Sequence, residues 1–420
     1  MKLVHLLCAT SFLAGCAVKP PVPPADLAPL AITPAFAVVT SDRASTAIAM
    51  LDENGTLITE AWIDSGTTRP ILSATLDGDV VMPTLPVGRN VLNLINQLGA
   101  TVITRIAIPS GDVIAQFAGQ RPEPEGDAAL TRFRANIQDM LDLHDGTVLV
   151  TRFEPNRREG AQELDLGNDA VVIRLSDGML MDRISFDAVN LVSDDATYYA
   201  RPSAMVPVGE RVVVATTRLD QLFNSGAGAV AVIDVPARTA RAIELPGFAD
   251  CLEAVPVPSD ATRAVVLCQG DTFTTMTQRR AHAGLVLLNL DSAGEPQIET
   301  SWRASEHPSV PVPSNGLVAL SSSRVVVNAM GDRSENTDDT YLLIDFETGA
   351  ADVIFMSSGA FVISKGAYVA EREQLLVPDA TNGVRIFAVS DDGALEETRI
   401  IDPSPYRRLP AREIRALLTE

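Results

Sequence analysis

PSAMVPV-GE-RVVVATT-RLDQLFNSGAG-AVAVIDV-PART-ARAIELP, residues 202–246, holds four apolar runs rich in β-branched residues. Side chains branched at Cβ are stiff and pack well on a pleated surface, so short runs of them bounded by Gly, Pro and Asp read as buried strands. Tight connections and one long loop, 218–228, join them into a four-stranded antiparallel sheet. Comparable quartets recur about every 50 residues, a period that belongs to the blades of a β-propeller.

Working outward, the third blade reads QDMLDL, TVLVTRF, AVVIRL and GMLMDRISF (138–186), and the fifth reads CLEAVPV, RAVVLCQ, GLVLLNL and QIETSWR (251–303). The sixth and seventh occupy 316–357 and 362–401. The second is expected over 71–108 as ILSATL, DVVMPTL, NVLNLIN and ATVITRIAI, followed by a long interval in which ALTRFRANI has helical character. Before it stand only three candidate strands, AFAVVTS, STAIAML and TLITEAWI (35–63). One blade is therefore a strand short. The C-terminal AREIRALLTE favours helix by local propensity, but an open ring would leave an unpaired strand edge and an uncovered wedge of core. The expectation is an all-β, seven-bladed propeller of four-stranded antiparallel blades. Residues 411–418 supply the innermost strand of the first blade, with Ile414 and Leu418 buried.

The N-terminus is a separate module. Residues 1–15 carry one basic residue, Lys2, then an apolar stretch too short to span a bilayer, as in a secretory leader. Leu13-Ala14-Gly15-Cys16 resembles the lipobox of bacterial lipoproteins, which implies cleavage before Cys16 and its acylation. Ala17 in the next position, by resemblance to bacterial sorting rules, points to the outer membrane. KPPVPPADLAP (19–29) reads as a semi-extended spacer, so the division expected is leader 1–15, acylated Cys16 and tether to 33, and one propeller domain over 34–420. The partner implied is the cell-envelope membrane, reached through a lipid anchor.

Composition narrows the partners further. The net charge is −21, and removing a leader that carries only Lys2 takes it to −22. Such a field repels phosphate backbones and anionic lipid heads, which argues against nucleic acid and against a peripheral electrostatic membrane contact. Of four cysteines, Cys8 leaves with the leader and Cys16 is acylated, which leaves Cys251 and Cys268. In a hairpin turning at 258–261, with Val257 opposite Thr262, these two face each other, so a disulfide is expected there. Closing a loop of about 17 residues contributes roughly 3 kcal/mol in the chain-entropy view.

Hairpins such as AMLD-ENG-TLITEAWI, AVAVID-VPART-ARAIELP and YLLIDF-ETG-AADVIF, together with the stretch from NIQDMLDL to MLMDRISF, resemble the repeats of bacterial YVTN/YncE-type β-propellers, including lipid-anchored members. The resemblance spans roughly 34–418. It implies the fold and an envelope location, periplasmic or at the surface. It implies no reaction, because propellers host many functions.

Loop lengths locate the candidate surface. Insertions fall between the second and third strands of blades, at 154–169, 218–228, 270–283 and 331–339, and so crowd one face, where a rigid scaffold would present binding residues. Arg157, Arg158, Arg218, Arg279, Arg280 and His282 are the binding candidates on these loops. Asp332, Glu335, Asp338 and Asp339 offer hard oxygen ligands for Ca²⁺, though without EF-hand spacing; otherwise no cofactor is expected. An enzyme needs an acid–base pair, a nucleophile or a metal, and His307, Arg201 and Glu306 are the catalytic candidates, at the channel mouth. The reading is a binding or scaffold module taking a protein or other envelope partner, with a lactonase-like periplasmic hydrolase as the alternative. The lining of the central channel separates the two.

Overall fold

Each apolar run forms a strand, and in four blades an aspartate at the end of the third strand organises the turn that follows. The carboxylates of Asp52, Asp234, Asp291 and Asp345 accept backbone N–H groups from the next few residues, at 2.7–2.9 Å. An Asp side chain can stand in for a backbone acceptor in this way, which is the physical content of the recurring I-D and L-D endings in the sequence. The computed structural model describes residues 22–121, 133–193, 196–271, 274–332, 337–390 and 393–418. They form seven antiparallel sheets arranged as a β-propeller. From the channel outward, the strands of a blade are called A to D. All sheets have four strands except the fourth, in which Leu191–Val192 adds a short strand beside the start of strand A, Thr197–Val208.

The core is divided by the blades. Seven apolar clusters each join residues of two neighbouring blades, such as Val257, Leu285 and Trp302 against Leu317, Val325 and Ile344 between the fifth and sixth. No blade has a core of its own, so every blade depends on both neighbours. A ring with one open joint would leave two apolar faces in water.

The joint closes as expected. Ala411–Ala416 is a strand pairing antiparallel with Phe36–Ser41, in the order that makes it strand A of the first blade. Ile414 is fully buried, and its N–H donates to Lys365 O of the seventh blade. Tertiary demand has overridden the local helical preference. Leu418 departs from expectation: it lies beyond the strand and is exposed.

Four other details differ from the sequence reading. In the second blade the strands are Val80–Val81, Val91–Asn96, Val102–Ala107 and Val113–Ala118, one run later than expected. ILSATL forms no strand, and VIAQFA completes the blade. Of ALTRFRANI, residues 129–132 lie outside the described residues, 133–136 are not helical, and Ile137 opens a strand. The hairpin of the fifth blade turns more tightly than expected, with Val257 opposite Asp260, and bulges on either side restore the pairing of Cys251 with Cys268. Those cysteines are joined, with S–S at 2.00 Å, and both are fully buried.

The fourth difference is the tether. From Pro23 onward the chain is docked in the groove between the first and second blades. Its carbonyls accept hydrogen bonds: Pro23 O from Arg407 (2.8 Å), Ala25 O from Thr67 (3.1 Å) and Ala28 O from the Trp62 indole (2.8 Å). Ala25 N–H donates to Asp64, and Leu27 is buried among Trp62, Leu76 and Ile108. The backbone at Gly111, with φ at +79°, lies so close that a Cβ there would stand 2.4 Å from Leu27 O. Proline removes donors but not acceptors, so a Pro-rich segment can still be held through its carbonyls.

Ile414→Ala should destabilise the propeller by about 3 kcal/mol, the usual size for emptying a buried aliphatic site, as measured by urea unfolding; a chain ending at 410 should melt many degrees lower or fail to fold. Thiol labelling of the unfolded, unreduced protein should find neither Cys251 nor Cys268 free.

Candidate functional site

In an up-and-down blade the A–B and C–D turns lie at one end, and the B–C and D–A connections at the other. The long loops therefore share the D–A face. Through the middle runs the channel, lined by the seven A strands.

Among the described residues four acidic side chains sit on these inner strands, and three of them, Asp139, Glu253 and Glu413, are buried, while Asp142 is half-buried. Asp139 accepts from Thr84 N–H of the second blade (2.8 Å), from Met205 N–H of the fourth (2.7 Å) and from its neighbour Met140. Glu253 of the fifth accepts from Gly316 and Leu317 N–H of the sixth, at 3.1 and 2.7 Å. Glu413, on the closing strand, accepts from Met82 N–H of the second at 3.0 Å, and its other oxygen lies 2.8 Å from Arg415. Arg415 in turn donates to Pro83 O and Gly366 O. Burial pushes the Asp139 carboxyl above the usual carboxylate range, with the amides of Thr84 and Met205 opposing it. Asp139, Glu253 and Glu413 stitch neighbouring blades together around the channel. Glu253 stands in a run that otherwise reads apolar, CLEAVPV, and that break in the pattern is a signal by which sequence reasoning could have found it; QDMLDL and AREIRA carry other polar residues and give no such signal for Asp139 and Glu413.

At the turn face the channel opens into a cavity of about 310 Å³. Its wall is mostly small and apolar, including Val255, Pro256, Leu317, Ala319 and Ala367, with Tyr368, Glu371 and Arg415 as the polar rim.

The catalytic candidates do not converge. The His307 ring stacks on Trp302 with centroids 4.6 Å apart, and the Trp302 indole donates to Gly349 O. Glu306 is exposed, in the short turn Ala304–Glu306. Arg201 is 1% exposed, lies over the rings of Phe153 (5.4 Å) and Phe223 (4.6 Å), and donates to Glu154 at 3.0 Å. Burial draws its guanidinium below the ordinary arginine value, while Glu154 pulls it back. His307 and Arg201 thus sit in different inter-blade joints.

The basic loop candidates are largely tied to the scaffold. Arg218 is buried, grips Glu244 through both terminal nitrogens and donates to Val189 O. Arg279 donates to Gln269 O, and Arg280 reaches three carbonyls, Ala304, His307 and Val310. Both belong to the helix Met276–His282, started by a Thr275–Gln278 capping box. His282 Nδ1 lies 2.9 Å from Asp271. Arg157 covers the Tyr199 ring at 5.6 Å, and Arg158 N–H donates to Asn156.

Of the acidic loop, Glu335 lies outside the described residues. Asp339 is fully buried, and its oxygens accept from the N–H groups of Gly331, Phe361, Val362 and Ile363 and from Asn328. Asp338 accepts from Gly359 N–H, and Thr337 N–H donates to the Asp332 carbonyl. Among the described residues, no group of three or more His, Cys, Asp and Glu side chains is placed to hold a metal.

What sequence reasoning missed is apolar. At the tip of the loop 220–225, Leu222 is 81% exposed, and Phe223 beside it is 45% exposed with φ at +63°. That region is uncommon for a bulky residue and costs roughly 1–2 kcal/mol. Asp220 holds the loop in shape, accepting from Leu222 N–H, Asn224 N–H and the Asn224 amide; this last bond, with the backbone N–H groups, lowers the Asp220 pKa. Val192, 74% exposed, projects from the adjoining D–A connection. Val192, Leu222 and Phe223 lie at the long-loop end of the fourth blade, as does Tyr199, whose ring Arg157 covers.

No protein-family model and no curated protein matches the chain. Solved structures do. A candidate 6-phosphogluconolactonase from Bacteroides fragilis aligns over 91% of this chain and 97% of its own, at 10% identity and a TM-score of 0.50. A second, from Bacteroides uniformis, aligns over 91% and 99%, at 11% identity and 0.50. The β-propeller domain of a Myceliophteria thermophila protein aligns over 86% and 99%, at 11% identity and 0.51. At these identities the likeness is one of fold.

Removing a stitch tests this description of the channel. Asp139→Ala would leave the buried amides of Thr84 and Met205 without an acceptor, and should cost about 2–4 kcal/mol in urea unfolding, since each orphaned buried donor costs about 1–3.

Proposed function

We propose that the protein is a binding module of the cell envelope, anchored through acylated Cys16, that works through its long-loop face. The observation that supports this most directly is the Leu222–Phe223 tip. Leu222 is held out in water, 81% exposed, by a loop whose shape Asp220 enforces, and Phe223 beside it, one face of its ring against Arg201 and 45% exposed, is kept in a costly backbone conformation. Strain of that kind persists only where the surroundings over-determine it, and it concentrates at functional sites. Exposed apolar groups clustered on one face are what an interaction surface presents.

The names of the two Bacteroides structures suggest lactone hydrolysis as the second reading. The channel gives that reading less support. Asp139, Glu253 and Glu413 are engaged by backbone N–H groups, and His307 faces a tryptophan rather than the channel.

The test uses the Cys16→Ser chain, which lacks the anchor, in sedimentation with native envelopes. The double variant Leu222→Asp/Phe223→Asp should bind at least about tenfold more weakly, because losing about 1.4 kcal/mol of contact gives that factor; its melting temperature should not change. Hydrolysis of 6-phosphogluconolactone should not exceed the spontaneous rate. A lactonase activity abolished by His307→Ala, with envelope binding unaffected by the loop variant, would overturn the proposal.

A further inference from the structure

The docked N-terminal segment fixes where the chain leaves the propeller. Pro23 O is held by Arg407, which belongs to 402–410, the connection from the outermost strand of the seventh blade to the closing strand of the first. Arg407 also pairs with Asp64, the last residue of strand D in the first blade. Both belong to the D–A end of the blades, so the segment emerges at the edge of the long-loop face. It then runs down the groove toward the turn face, where Leu30 N–H donates to Pro109 O and Ala35 N–H to Leu51 O.

Between Cys16 and Pro23 lie six residues, 17 to 22. Fully extended they reach about 20 Å. An acyl group on Cys16 would therefore hold this edge of the long-loop face close to the bilayer, and the turn face could not come as near. The apolar tips Val192, Leu222 and Phe223 lie on the same face at the fourth blade, nearly across the ring from the first. An anchor on one side and exposed apolar side chains on the other give two separated points of contact.

We infer that the partner of the long-loop face is the lipid surface itself: the propeller lies with this face toward the bilayer, and Val192, Leu222 and Phe223 enter its interfacial layer. The inference rests on the acylation of Cys16 and on the assignment of this face as the working surface. Its basis is uncharged apolar contact, because the acylated chain, at −22 once the leader with Lys2 is removed from the −21 of the full sequence, repels anionic headgroups.

The full-length acylated protein is reconstituted into vesicles of phosphatidylethanolamine and phosphatidylglycerol that carry spin-labelled lipid. A polarity-sensitive fluorophore is attached through Leu222→Cys on the long-loop face or through Ser292→Cys in a turn of the opposite face. Emission from position 222 should shift to the blue and be quenched severalfold more than emission from 292. Equal quenching, stronger quenching at 292, or no quenching in protein that sediments with the vesicles would overturn the inference. Inserting a long Gly/Ser linker after Val18 should reduce quenching at 222; unchanged quenching would overturn the role given to the docked segment. Protein that carries no acyl mass and fails to sediment would remove the anchor and this inference with it. Binding of the anchorless chain to native envelopes without quenching in pure lipid would leave the binding-module reading intact and assign the face to a protein.

Discussion

The structure depends on one strand pairing, between Ala411–Ala416 and Phe36–Ser41. Among the described residues each apolar cluster is shared by two blades, so the blades stand or fall as a ring, and this is the one strand pairing that joins strands distant in sequence. The same strand bonds on three sides: to the first blade along its length, to the seventh through Ile414 and Lys365, and to the second through Glu413 and Met82. Closure is therefore both a β ladder and a set of side-chain bonds around the channel.

The carboxylate stitches bear on what the channel can do. A carboxylate bonded to backbone N–H groups of the next blade stabilises the ring only while it keeps that geometry. An acid–base role would require it to exchange partners during a reaction. Asp139, without a cation among its hydrogen-bond partners and with its pKa raised by burial, shows the cost of placing an acid there. On the long-loop face, by contrast, the apolar side chains of Val192 and Leu222 are exposed, the latter on a loop held in shape by Asp220.

Much of the architecture was legible in sequence, because blade repetition fixes strand number and order, and because opposed cysteines and a missing strand admit few solutions. The second blade was misread because ILSATL has strand-like content but no neighbour to pair with. The tether was misread because proline content reports on lost donors and says nothing of carbonyls that a groove can hold. The site was less legible. Arg218, Arg279 and Arg280 look available on a loop in sequence, and only the fold shows each bonded to a carboxylate or carbonyls. Leu222 and Phe223 fall in a stretch read only as a loop, and it takes the Asp220 turn to show Leu222 projecting from its tip with Phe223 beside it against Arg201.

Hydrogen–deuterium exchange on the acylated protein, free in detergent and bound in native envelopes, tests the central claim that one face does the binding. The account predicts slower exchange on binding over 187–199 and 219–226, with none at the A–B and C–D turns such as 143–146 and 258–260. Protection confined to those turns or to the cavity lined by Val255, Leu317 and Ala367 would contradict it.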